Sequence, residues 1–177
     1  MTRAFAPKIL HILDHSLPYA SGYSFRTAGL LDEQCRRGWQ PIALTSAEHS
    51  ALAPDAPPEE TIMNLRHYRT ARVPQAPASA HRPLSMARLA ARMRQVAALE
   101  KPALLHVHSP VFNALPALWL RRKLHLPLVY EIRAFWEDAS VDHGIYTERS
   151  LRYRLTHLLE MQVCRRAEQI AALCNGV

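Results

Sequence analysis

Glycine is scarce in this chain, 5 among 177 residues, and the scarcity removes a class of ligands. No stretch carries the three glycines that let a backbone wrap a dinucleotide pyrophosphate, so binding of NAD or FAD is disfavoured. Cysteine is also rare. Cys35, Cys164 and Cys174 are odd in number and lack metal-ligand spacing, which argues against a disulfide framework or a zinc knuckle and for a reducing compartment. Aromatic residues make up 7% and do not interleave with the arginines, so the footprint of a nucleic-acid binder is missing. Nowhere do about 18 consecutive apolar residues occur, and the apolar run near the N-terminus is too short and interrupted for a signal peptide. The expected location is the cytoplasm, with any membrane contact peripheral, on the inner membrane.

What is present fits a folded domain. Hydrophobic residues reach 49% and charged residues 21%, and the length suits one domain with a real core. The 22 Lys+Arg against 15 Asp+Glu leave a formal charge of +7, which favours anionic partners. Short apolar runs alternate with helical patterns. KILHILD, PIALTS, ALLHVHS, LPLVYEIRA and QIAALC read as strands, and TIMNLRHYR as one further strand near the sheet edge. GYSFRTAGLLDEQCRRG, LSMARLAARMRQVAALE, VFNALPALWLRRKLH and RSLRYRLTHLLEMQVCRRAE read as helices, with Ser21 able to cap the first. PQAPASAHRP reads as a Pro/Ala linker. The pattern predicts an α/β fold, a doubly wound, mostly parallel, Rossmann-like sheet spanning residues 1–177.

Three stretches hold candidate chemistry. In LLHVHSP, His106 and His108 share one side of a strand and lie near its carboxyl end, where open α/β sheets bind ligands. The pair reads as metal ligands, if Asp138, Asp142 and His143 converge on them, or as a buried His106 beside a ligand-contacting His108. The turn LDHSLPYASGYSFRT places Ser21 and Gly22 at a helix start, an anion site by its free N–H groups. EIRAFWEDASVDHG brings Glu131, Arg133, Trp136, Glu137, Asp138, Asp142 and His143 past the same edge. Carboxylates with an arginine and an indole suit a sugar, or form a structural salt-bridge network. Arg82, Arg88 and Arg92, with Arg94 nearby, make the helix after the linker a candidate for anionic lipid, or a solvated face.

ILHILDHSLPYASGYSFRT, RRGW, LLHVHSPVFNALPALWLRRKLHLPLVYEIRAFWEDASVDHG and AALCNGV together resemble the N-terminal half of group 1, family 4 glycosyltransferases of the GT-B fold. More narrowly they are similar to exopolysaccharide enzymes of exosortase (PEP-CTERM) systems. The resemblance implies two Rossmann-like domains across a cleft, a retaining transfer from a nucleotide-sugar to a saccharide acceptor, lipid-linked in this context, and no metal or other cofactor. It places Ser21 and Gly22 by the donor diphosphate and His108, as the catalytic residue, at the donor sugar. Arg26, Glu131, Arg133, Trp136, Glu137, Asp138, Asp142 and His143 fall to the acceptor. The family's Gly-Gly is Ser21-Gly22 here, and its donor half with paired glutamates is absent, so the isolated chain is expected to be inactive. Glu160 and Glu168 imitate that pair, but at ~100° per residue they stand about 80° apart around a helix. A non-catalytic carbohydrate- or nucleotide-binding module and a metal-dependent hydrolase remain alternatives.

Overall fold

A computed structural model describes residues 6–133 and 150–173. In chain order these form β1 (Lys8–Leu13), α1 (Gly22–Arg36), β2 (Gln40–Thr45), α2 (Ala47–Leu52), β3 (Glu59–Ile62), β4 (Leu65–Arg69), α3 (Ala78–Glu100), β5 (Leu104–His108), α4 (Val111–Leu124), β6 (Leu128–Ile132), α5 (Leu151–Arg166) and β7 (Gln169–Ala172). The seven strands make one sheet in the order β3-β4-β2-β1-β5-β6-β7. Every pairing is parallel except β3 with β4. The doubly wound, Rossmann-like expectation holds.

Register explains how the sheet sorts its side chains. Leu10 pairs with Ile42 and Leu105, and Leu105 with Leu128. Neighbours in parallel register point the same way, so these residues share one face. There they join Ile12, Leu44, Val107 and Tyr130, and α3, α4 and α5 close over them with Leu89, Met93, Ala114, Ala117 and Val163. Each such leucine or valine contributes roughly 1.5–3 kcal/mol by leaving water. The opposite face is different. It carries His11 and Leu13 of β1, Ala43 of β2, Leu65 and His67 of β4, and His106 and His108 of β5. Its apolar cluster is small, Leu13, Leu31, Ala43 and Leu65 with Tyr23 beside them, and Ile9 is buried apart from it.

Two local expectations need correction, and one element had none. TIMNLRHYR is not one strand but the hairpin β3–β4, because Met63 (φ 52) and Asn64 (φ 63) reverse the chain between the paired Ile62 and Leu65. Two residues with positive φ make the tight turn whose twist suits a hairpin. The Pro/Ala linker is helical from Ala78 onward, with Pro83 inside α3; burial of Leu89, Met93 and Val96 outweighs the bond that proline cannot donate. α2 was not legible at all. Six residues are too few for a periodic signal, and Ser46 supplies its cap by accepting from Glu48 N.

From β1 the chain winds outward through β2 to β4, then returns to β5 and winds the other way through β6 to β7. The reversal lies between β1 and β5. At such a switch point the two flanking loops leave in opposite directions and a crevice opens at the carboxyl ends of the strands.

Candidate functional site

The switch point is lined by polar side chains on the lightly covered face. His11 of β1 pairs in register with His106 of β5, and His108 with Glu131 of β6. Adjacent strands and alternation by two therefore bring three imidazoles and a carboxylate onto one patch. The ring centroids of His11 and His106 are 4.7 Å apart, those of His106 and His108 4.4 Å.

Arg133, just past β6, organises the patch. Its Nε donates to Glu131 Oε1 at 3.1 Å, Nη1 to Tyr23 O at 3.1 Å and Nη2 to His108 Nδ1 at 2.9 Å. Its backbone N–H donates to Ser109 Oγ at 3.1 Å. A guanidinium has no acceptor, so His108 Nδ1 must accept and the ring proton sits on Nε2. That proton faces His11 Nδ1 at 3.0 Å, which leaves His11 Nε2–H to donate to Gln34 Oε1 at 2.8 Å. One relay of consistent polarity thus runs from Arg133 through two histidines to α1. Glu131 Oε2 stands 3.4 Å from His108 Nδ1, whose lone pair Arg133 already takes in this tautomer, and 3.2 Å from His106 Nε2. The latter approach is off the hydrogen-bond direction, and that buried nitrogen has no aligned partner.

Burial decides the charge states. Desolvation, then the neighbouring imidazoles, hold His11 well below the ordinary histidine value. Desolvation first, with His106 and Arg133 adding, brings His108 down to about 3. Burial pushes Glu131 up, but the adjoining His106 ring nitrogen and the Arg133 guanidinium outweigh it, leaving the carboxyl well below its usual range. The patch is therefore a buried Glu131–Arg133 ion pair with the His11 and His108 imidazoles neutral at neutral pH.

The lip is more open. Ser21 caps α1 by accepting from Ser24 N at 3.1 Å. His15 bridges Asp14 and Ser21, with Nδ1 3.1 Å from Asp14 Oδ2 and Nε2 2.8 Å from Ser21 Oγ. A Cβ added at Gly22 would meet no atom within 4 Å, so neither packing nor backbone conformation demands glycine there. Arg26 reaches Glu131 Oε1 at 3.4 Å from α1 while its side chain stays 48% exposed.

Of the sequence-predicted residues, the structure gathers Ser21, Gly22, Arg26, His108, Glu131 and Arg133 around one mouth. His108 is completely enclosed, with both ring nitrogens engaged, so it reaches the mouth through Arg133 rather than by its own surface. Trp136, Glu137, Asp138, Asp142 and His143 lie outside the described residues. Arg82, Arg88 and Arg92 sit on α3 with internal partners: Arg82 lies over the Phe112 ring, Arg88 donates to Arg72 O, and Arg92 donates to Glu59 and lies over Tyr68. No helix among the described residues is long and apolar enough to cross a membrane. Glu160 accepts from Tyr130 Oη at 2.6 Å, and Glu168 accepts from Leu128 N and pairs with Arg121. Both glutamates hold the fold. Sequence reading missed His11, Gln34 and His15. The signal for His11 was there, a histidine inside an apolar strand, at the alternation that faces His106.

The sequence matches the model of the glycosyl transferase 4-like domain over residues 21–177. The chain belongs to this family. No curated protein matches the sequence. Among solved structures, sucrose-phosphate synthase from Thermosynechococcus elongatus superposes with a TM-score of 0.67 at 14% identity, over 93% of this chain and 41% of that one. UDP-N-acetylglucosamine 2-epimerase from Rickettsia bellii gives 0.60 at 11% identity, over 97% and 40%. MurG from Acinetobacter baumannii gives 0.55 at 12% identity, over 97% and 43%. At these identities the likeness is one of fold: the glycosyl transferase 4-like domain has the Rossmann-like architecture of a GT-B unit. It spans about two fifths of the length of the structures it matches.

Proposed function

We propose that this domain is the acceptor side of a retaining glycosyltransferase that moves a sugar from a nucleotide-sugar to a lipid-linked saccharide. The setting we propose is exopolysaccharide synthesis of the exosortase-associated kind, at the cytoplasmic surface of the inner membrane. The observation that carries the reading is the mouth itself. An uncrowded helix N-terminus at Gly22, a half-exposed Arg26 and a buried Glu131–Arg133 pair meet at the switch point of a glycosyl transferase 4-like sheet. The retaining outcome and the lipid-linked acceptor rest on the family resemblance.

Breaking the bond between a sugar's anomeric carbon and the phosphate oxygen builds negative charge on the departing diphosphate. Of the first N–H groups of α1, Ser24's is taken by Ser21 Oγ, and those of Gly22 and Tyr23, with no carbonyl within the helix to bond, are the partners proposed for that charge. Arg26 adds a cation at the same rim. Glu131, ionised and buried, fixes the guanidiniums of Arg133 and Arg26, while His108 holds Arg133 from behind. These are positioning roles. A fixed donor array costs no reorganisation when charge develops, which is why it accelerates the reaction. A second Rossmann-like domain would bring the donor and close the cleft.

The test is nucleoside diphosphate release from nucleotide-sugars, in the presence of saccharide acceptors, by the full-length protein. Arg26→Ala should slow turnover on the order of 10²-fold with an unchanged melting temperature. Turnover indifferent to that change would remove Arg26 from the site. No turnover with any nucleotide-sugar would remove the function.

A further inference from the structure

The histidine patch has more in it than transfer chemistry uses. One ring nitrogen from each of His11, His106 and His108 lies within 4.8 Å of the other two. The rings come from two neighbouring strands in the middle of the sheet, so their backbones are fixed by pairing on both sides. Tetrahedral coordination at about 2.0–2.1 Å sets ligand nitrogens roughly 3.4 Å apart. His11 Nδ1 and His108 Nε2 stand at 3.0 Å, so they need open only slightly, and the third nitrogen, within 4.8 Å of both, need close by at most about 1.4 Å.

Hydrogen bonding accounts for this patch only in part. His11 and His108 satisfy each other, but His106 Nε2 is buried without an aligned partner, and such an orphan costs roughly 1–3 kcal/mol. A cation accepting one lone pair from each ring resolves all three at once. The surrounding groups suit one. Gln34 Oε1 already takes the Nε2–H of His11, leaving Nδ1 for a metal. If the proton of His108 moves from Nε2 to Nδ1, it faces Glu131 Oε2 at 3.4 Å, the carboxylate–histidine–metal arrangement that orients ligands in known sites. Glu131 also supplies the negative charge nearest the ion, against the cationic Arg133.

We infer that His11, His106 and His108 form a binding site for a divalent first-row transition metal, Zn²⁺ by preference, with Glu131 and Gln34 orienting the ligands and a fourth position left for water. Imidazole donors favour Zn, Ni, Cu and Co over the oxygen-seeking Mg and Ca. Binding would pin β1 to β5 and release the Arg133 Nη2 donor from His108 toward the mouth. The site does not depend on the glycosyltransfer reading, and its ligands differ from the set with Asp138, Asp142 and His143 considered from sequence.

The experiment uses chelator-stripped chain and ZnCl₂ alone. Calorimetric titration should show one saturable equivalent, with a rise in melting temperature, and MgCl₂ should give neither. His106→Gln and His11→Asn should each weaken Zn²⁺ at least about tenfold. Because His11→Asn could also unfold the chain, Co²⁺ bound to the unaltered chain gives an independent reading. Visible absorption typical of tetrahedral nitrogen ligation supports the site, and an octahedral spectrum overturns it. Absence of stoichiometric Zn²⁺ binding, or binding undiminished in a folded His106→Gln, also overturns it. Neither result bears on nucleotide-sugar turnover, so failure here and failure of the proposed function are separate outcomes.

Discussion

Arg69 shows what a single buried charge does for this fold. It is almost fully enclosed and pairs with Glu60 at 2.7 Å, donates to Ser16 Oγ at 2.6 Å, and caps Leu17 O. Those contacts tie the loop after β1, and hence Ser21 and Gly22, to the far strands β3 and β4. Arg69→Met should cost about 2–3 kcal/mol, because it strands Glu60 as an unpaired carboxylate and frees the loop. In urea the midpoint should fall with an unchanged slope. Gly22→Ala is the opposite case. Nothing crowds the position, so the melting temperature should hold or rise, while the KM for the nucleotide-sugar in the full-length protein should increase as the methyl enters the mouth. At this scale Ser21 was readable as a cap and alternation put His106 and His108 on one face, but the exposure of His108 was not readable: expected to contact ligand, it is fully enclosed. Nor was Gln34 readable, which enters the patch only because α1 folds back across β1, a contact between positions 23 residues apart.

Among elements, the parallel strands and long helices were legible because each carries enough periodic apolar residues to outvote its exceptions. The hairpin β3–β4 was not. Its turn is Met63-Asn64 rather than the Asn-Gly that usually announces two positive φ angles, and Met63, with no special tolerance for that conformation, is strained there. Replacing the pair with Asn-Gly should therefore stabilise the chain by about 0.5–1 kcal/mol, read as a higher urea midpoint. If the midpoint dropped, Met63 would be contributing packing that outweighs its backbone cost. α2 was invisible for a different reason, since a six-residue helix is defined by its cap and its neighbours more than by its own pattern.

The molecule as a whole should be acid-sensitive in a particular window. Burial first, then the Arg69 charge, lowers His49 to about 4 and His67 to about 3. In the unfolded chain both would titrate near 6.5. Between 6.5 and these lower values the unfolded state binds protons that the folded state refuses, so stability falls as pH falls, by up to about 1.4 kcal/mol per pH unit for each histidine. Melting temperature against pH should turn down below 6.5, and His67→Gln should flatten the descent. A profile level from pH 7 to 5 would contradict the buried, neutral state of both rings.

The unequal coverage of the sheet has a last consequence, for breathing. On one side α4 sinks Val111, Ala114, Pro116, Ala117, Leu118 and Leu120 into a continuous oily layer. On the other, α1 buries only Ser24, Thr27 and Leu31. Amide protons should therefore exchange sooner along α1 than along α4. The helix over the histidines is thus pinned more lightly than α4, and should lift on its own while the oily side stays shut.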